Sequence, residues 1–405
     1  VSDRVTASSQ IRRAATEMPS IRERSPAVGF EVIAVQLLPL QEVANQIKPG
    51  MPLAWDIRDG NGKLLLARGF RVVDAAMLST LLARGMFVDA QEMRAAANES
   101  TAQKPKEGFF GRWRLSSARL NTLLTATPAQ LRGALDEVVD VLMSLADRYP
   151  DKVLFQILRH DQTRLQSYGV SHSLHCAAVC CLTGKRMGWD DNQRKMLVGA
   201  AMSMNLSMIE LQGRLAVQAV PPTLDQRAAI DAHPHRSAEM LRAGGVDDKL
   251  WLDAVEQHHE LTDGTGYPLR RTDVAELAQA LHYVDVFTAK ISARSSRQAL
   301  APNVAARQIF MGSKGHPLAA SLIKEFGIYP PGCFVRLASG EVAIVIHRGE
   351  TVNTPVVACL TGRNGDPLPR HARRETSQKD SAIVALVQDS DVMVRVAWES
   401  LYADD

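Results

Sequence analysis

HHELTDGTGYP, residues 258–268, is the stretch on which the reading of this chain turns. Two adjacent histidines stand at what reads as a helix end, and a glycine-rich turn then closes on Tyr267-Pro268. A histidine pair at a helix terminus has a plain explanation, since it can simply be solvated. The length and order of the pattern point further, because imidazole is the commonest metal-ligating side chain.

Three more positions carry chemistry: His172 in VSHSLH, His233 in DAHPHRSAEML and Asp285 in HYVDVFTAK. His172 alone reads as a satisfied core histidine beside a cysteine-rich run. His233 precedes Pro234, which fits a histidine capping a new helix with proline at its first position. Asp285 makes a separate argument. It continues the apolar stripe of Val274, Leu277, Ala278 and Leu281, and a carboxylate on a buried face is costly unless a cation or metal accompanies it. A lysine or arginine would serve that purpose as well as a metal.

Away from this stretch the texture changes twice. Residues 1–29 are polar, basic and unpatterned, a disordered tail by composition. Residues 30–93 predict a small α+β domain, with Asp59-Gly60-Asn61-Gly62 as a hairpin turn between β-forming runs and DAAMLSTLLARG at helical spacing. Residues 94–112 read as a linker. Residues 113–328 carry apolar side chains at helical spacing. Residues 329–405 return to β patterns, with CFVRLASGEVAIVIHRG forming two runs around Ser339-Gly340. The expected fold class is mainly α: a helical core with small β-containing domains at its N- and C-terminal sides.

Composition narrows the options. A hydrophobic fraction of 46% and a charged fraction of 22% are ordinary for a globular protein, and a net charge of +3 does not argue for a nucleic-acid polymer or a membrane surface. No apolar run is long enough to span a membrane, and the first twenty residues lack an apolar signal core, so the expected location is the cytoplasm. Five cysteines without a CxxC pair read as buried, reduced thiols.

In their order, these residues resemble the HD-GYP family of cyclic di-GMP phosphodiesterases. That family's signature has two histidines followed by Glu and then Asp-Gly-x-Gly-Tyr-Pro, and the resemblance covers about residues 150–350. It implies a metal-ligand set of His172, His233, His258, His259 and Asp285. His172 and Asp285 belong to the set shared by the wider HD superfamily, and the other three histidines to the second metal position. Gly266, Tyr267 and Pro268 are implied in ligand recognition and in contacts with signalling partners. Arg294 and Arg297 resemble a basic pair that could meet a phosphate, or equally a solvated helix end.

One motif departs from the family. Where it has His-Asp-x-Gly-Lys, LVGAAMSMNLSMIEL places Met204 for the His, Asn205 for the Asp, Ser207 for the Gly and Met208 for the Lys. In active members the Asp bridges two ions that activate a hydroxide. Methionine suits neither iron nor manganese among oxygen donors, and asparagine has no charge with which to bridge. Leu197, Ala200 and Ala201 share a helix face with Met204, so the methionine reads as core filling a former site. The expectation is a degenerate member holding at most one divalent metal (iron, manganese or zinc) and no paired centre. Its implied role is a cyclic di-GMP receptor or protein scaffold, with a phosphodiesterase using a rebuilt site as the alternative. Oligomeric state stays open.

Overall fold

The computed structural model describes residues 37–47, 53, 55–60, 64–66, 70, 75–83, 86–89 and 108–402, the last span without 127–129, 161–164, 369, 393 and 395. The tail expected at 1–29 and most of the linker expected at 94–112 lie outside these residues. The chain divides into two compact units, Val1–Pro105 and Lys106–Asp405.

The first unit is a small antiparallel sheet with a helix. Strands β1 (Leu37–Pro39), β2 (Ile57–Arg58), β3 (Leu64–Leu66) and β4 (Phe87–Asp89) lie in the order β1-β4-β2-β3, and α1 spans Ala75–Ala83. The pairing Ile57↔Leu66 matches the hairpin expected from the Asp-Gly-Asn-Gly sequence. Leu40, Ile57 and Val88 are fully buried at its centre.

The second unit opens with α2, Phe109–Ala126, which starts inside the segment expected to be linker. The reason is aromatic burial: Phe109 and Trp113 are 5% and 4% exposed, and Phe109 meets Tyr149 edge-on at 5.8 Å. Helices α3 (Leu131–Arg148) and α4 (Pro150–Arg159) follow. Along α3 the buried Leu131, Leu135, Val138, Leu142 and Leu145 form one stripe.

Helix α5, Tyr168–Met187, is buried nearly all round, which makes it the central helix of the bundle. Its small side chains, among them Cys176, Ala177, Ala178, Cys180 and Cys181, let α6 (Asp191–Ser203) and α10 (Glu276–Lys290) pack against it. All five cysteines are free and buried. Helix α6 begins at an Asp190–Gln193 capping box. It packs closely on α9 (Lys249–Gln257), where a Cβ on Gly199 would meet the Trp251 ring at 2.4 Å. Trp251 Nε1 then donates to Ser203 Oγ at 2.9 Å.

Helices α7 (Ile209–Val217) and α8 (Leu224–Ala243) lie between those two in sequence. The start of α8 corrects the reading of His233 as a helix cap. Thr223 and Gln226 form the capping box, and Pro234 lies inside a continuous helix. Helices α11 (Pro302–Gly312) and α12 (Pro317–Phe326) close the bundle. No helix among the described residues is long and apolar enough to cross a membrane.

A five-stranded antiparallel sheet ends this unit. Strands β5 (Phe334–Leu337), β6 (Val342–His347), β7 (Val356–Cys359), β8 (Arg373–Glu375) and β9 (Ile383–Val387) run in the order β8-β7-β6-β5-β9. One face packs Phe334, Ile344 and Ile346 with Phe155 of α4, so the sheet shares a core with the helices. Charges reinforce this contact: Arg348 Nε donates to Asp151 at 2.5 Å and its Nη1 to Glu325 at 2.7 Å.

Candidate metal centre

Three histidines from different segments converge. His233 stands mid-way along α8, where Pro234 has no N–H to offer the Ile230 carbonyl. The imidazole takes that acceptor, Nδ1–H donating to Ile230 O at 2.5 Å. His258, just past α9, donates its Nδ1–H to Val255 O at 2.7 Å. Each bond assigns the proton to Nδ1 and leaves a lone pair on Nε2. The two Nε2 atoms face each other at 3.2 Å, so two acceptors meet where a cation would relieve them.

His259 completes the group, its ring 4.1 Å from that of His258 and 5.1 Å from that of His233. One ligand atom from each of the three lies within 4.8 Å of the others. Burial and the neighbouring His258 push His233 down to about 3. Burial likewise lowers His258 and, with His258 beside it, holds His259 well below the usual imidazole range. Neutral imidazoles are the form that binds metal. Burial of His258 excludes a solvated helix end for that residue.

The loop after the pair is fixed by its backbone. Glu260, 2% exposed, accepts from Leu269 N at 2.7 Å through Oε1 and from Arg271 N at 2.8 Å through Oε2. A Cβ on Gly266 would lie 2.4 Å from Leu261 N and 2.6 Å from His259 O, so only glycine fits that approach. Tyr267 N donates to His259 O at 3.0 Å, and the Tyr267 ring stacks on His259 at 4.5 Å. Pro268 is exposed beside it.

A second group forms around α5. His172 and Asp285 pair through Nε2 and Oδ1 at 2.7 Å, and Cys176 Sγ lies 3.5 Å from the same nitrogen. Burial alone would raise the Asp285 carboxyl, but the His172 hydrogen bond and the surrounding imidazoles hold it well below the carboxylate range. Sequence alone reads Cys176 as core, and the structure sets it beside His172. Its signal is the four-residue step from His172, which puts both on one helix face.

Met204 and Asn205 lie at the end of α6, 0% and 2% exposed, and Asn205 Oδ1 has no hydrogen-bond partner among the described residues. Met204 packs in the same core as Leu197, Ala200 and Ala201. Ser207 ties this turn to α8, its Oγ donating to His233 O at 3.2 Å. Arg294 and Arg297 form neither a helix end nor a free pair. They make a small bridge, Arg294 N donating to Arg297 O at 2.9 Å. The Arg294 guanidinium covers the Tyr168 ring at 4.5 Å and donates to its hydroxyl at 2.6 Å, whereas Arg297 is exposed.

Residues 152–315 match the family model described as HD domain. The chain is 26% identical over 234 residues to cyclic di-GMP phosphodiesterase PA4108 of Pseudomonas aeruginosa, covering 54% of this chain and 56% of the relative. The chain thus spans about half the length of that curated relative. A solved structure, Bd1817, an HDG"Y"P protein from Bdellovibrio bacteriovorus, aligns at a TM-score of 0.44 with 14% identity, over 69% of this chain and 96% of that one.

The clustered histidines and the aspartate all lie within residues 152–315, the span that matches the HD domain. Over its helical part the chain is similar to a cyclic di-GMP phosphodiesterase.

Proposed function

We propose that this chain is a cyclic di-GMP-responsive signalling protein that binds the nucleotide without turning it over at a phosphodiesterase's rate. One observation carries the reading. Where the family resemblance aligns the bridging pair, this chain has a methionine packed into the core and a neutral asparagine, yet it keeps the three clustered imidazoles and the Gly-Tyr-Pro sequence.

The triad would hold a single divalent ion through three imidazole nitrogens. Such an ion supplies Lewis acidity toward a phosphoryl oxygen or an activated water. The protein supplies the rest. Ile230 and Val255 carbonyls orient two of the rings, and Tyr267 covers the third. On this reading Gly266, Tyr267 and Pro268 present the loop to a guanine base or a partner protein. The exposed Arg297 is the cation offered to a phosphate, while Arg294 braces Tyr168. The converging lone pairs of His233 and His258 also favour a second reading, a phosphohydrolase that uses one metal.

Calorimetry with cyclic di-GMP and chromatography of its products, run on the same manganese- or iron-loaded protein, separate these readings. The expected result is binding that Tyr267→Ala weakens, with the nucleotide recovered intact. Chelator-sensitive conversion to the linear dinucleotide or to GMP would establish the one-metal enzyme instead. Absence of binding by the parent chain would leave a protein scaffold.

A further inference from the structure

Away from the histidines, a cleft of about 520 Å³ opens between the end of α12 and the loop that joins β6 to β7. We propose that it binds a small amphiphilic anion: a compact apolar ring body that carries one acidic group. The inference does not rest on the nucleotide reading and uses none of the candidate metal ligands.

The apolar lining sets the body of the ligand. The α12 side contributes Phe326, Ile328 and Tyr329, and the loop contributes Val352 and Pro355. Ile328 and Val352 are exposed, whereas Phe326 and Pro355 are buried. A single exposed aliphatic side chain needs no explanation, but two on one cleft with buried apolar neighbours make a hydrocarbon lining. The volume falls among small-molecule sites, which run from about 300 to 1,000 Å³.

The loop wall is preformed. Gly349 lets it turn sharply, since a Cβ there would lie 1.8 Å from Thr354 O, and the Thr351 and Thr354 hydroxyls are bonded at 2.7 Å. A wall that is already ordered spares the ligand the cost of ordering it.

Unspent donors set the polar group. Arg186, Lys324 and Arg348 line the cleft, with Glu350 as its carboxylate. Arg348 uses Nε on Asp151 and Nη1 on Glu325, whereas Arg186 uses only Nε, on Glu325. Both Glu325 oxygens are therefore taken, and Glu325 is buried. Among the described residues, the terminal N–H groups of Arg186 and the Lys324 ammonium have no hydrogen-bond partner. Arg186 is exposed, so its planar fork is open to a carboxylate, sulfonate or phosphate oxygen pair.

Two fluorescent probes separate the apolar part from the acidic part. Anilinonaphthalene sulfonate carries the acidic group, and phenylnaphthylamine is the same ring system without it. The full chain is titrated with each. The expected result is saturable enhancement by the sulfonate at one equivalent per chain, with the neutral probe bound about tenfold more weakly. Val352→Glu, which sets a carboxylate on the rim, should weaken the sulfonate by about tenfold, and Arg186→Leu should bring the two probes to similar affinity. Val352 is exposed, so its variant keeps the fold and the test even where loss of the Arg186–Glu325 bond unfolds the other.

A parent chain without saturable sulfonate binding overturns the proposal, as does a Val352→Glu titration that matches the parent. Equal affinity of the parent for both probes overturns the acidic group. Sulfonate binding that appears only when a dimer is diluted to monomer would give the cleft to a second copy of the chain instead. Displacement of the sulfonate by cyclic di-GMP would overturn the independence of this cleft from the nucleotide reading.

Discussion

Proline at position 234 removes the N–H that would engage the Ile230 carbonyl, and the adjacent imidazole uses that acceptor instead. A residue that weakens the helix thereby orients a candidate ligand. Pro234→Ala tests this, since alanine restores the backbone donor and competes with His233 for the carbonyl. The helix itself should gain, because proline in a helix interior costs about 3 kcal/mol relative to alanine. Metal affinity at the triad should nonetheless fall by about ten- to a hundredfold, the usual effect of losing an orienting partner. A chelator-competition titration measures the affinity and a thermal melt the stability. Equal affinity in parent and variant would mean that the hydrogen bond does not orient the ring. At this same scale Glu260 shows how a motif residue differs from a ligand. Its two oxygens are spent on backbone N–H groups of the loop that carries Tyr267.

Between elements, the clamp joining α4, α12 and the end of β6 is ionic. Asp151, in the first turn of α4, accepts from Arg348, and Arg348 also reaches Glu325, which Arg186 holds at 2.6 Å. Burial would raise the Asp151 carboxyl, but the hydrogen bond from His347 and the charge of Arg348 keep it below its ordinary value. A carboxyl lowered in the folded state stabilises the fold above its unfolded pKa, and that stabilisation is lost as pH falls through the folded value. Asp151→Asn should therefore cost roughly 1.5–3 kcal/mol at neutral pH, the scale of a hydrogen bond to a charged group. The gap between variant and parent should close as pH drops below about 4. Urea unfolding at several pH values reads both; a gap independent of pH would place the contribution in packing and not in charge.

Across the whole molecule, the proposed reading makes Met204 and Asn205 a trade between core and site. Met204 is 0% exposed, so Met204→His with Asn205→Asp exchanges apolar packing for two polar groups in the interior. The metal-free variant should melt below the parent, by a few degrees for each kcal/mol lost, about 2–4 °C in a unit of this size. Manganese should then raise the variant's melting temperature by more than the parent's, since ions that bind only the folded state stabilise it by mass action. If manganese shifts both equally, Met204-Asn205 does not occupy the bridging position.

By itself, the sequence determined the order of β, helical and β segments, because hydrophobic period and turn residues are local signals. It also determined which histidines and which aspartate to watch, since HHELTDGTGYP is long enough to be specific. Local signals misled where a distant contact decided the outcome. Phe109 and Trp113 begin a helix because α3 and its following turn bury them, although the preceding residues read as linker. Pro234 suggested a helix start until Thr223 and Gln226 proved to cap that helix three turns earlier. Only the tertiary structure divided the candidate ligands into two groups and brought Cys176 beside one of them. His172 and Asp285 are more than a hundred residues apart, and distances of 2.7 and 3.5 Å arise only when α5 and α10 pack.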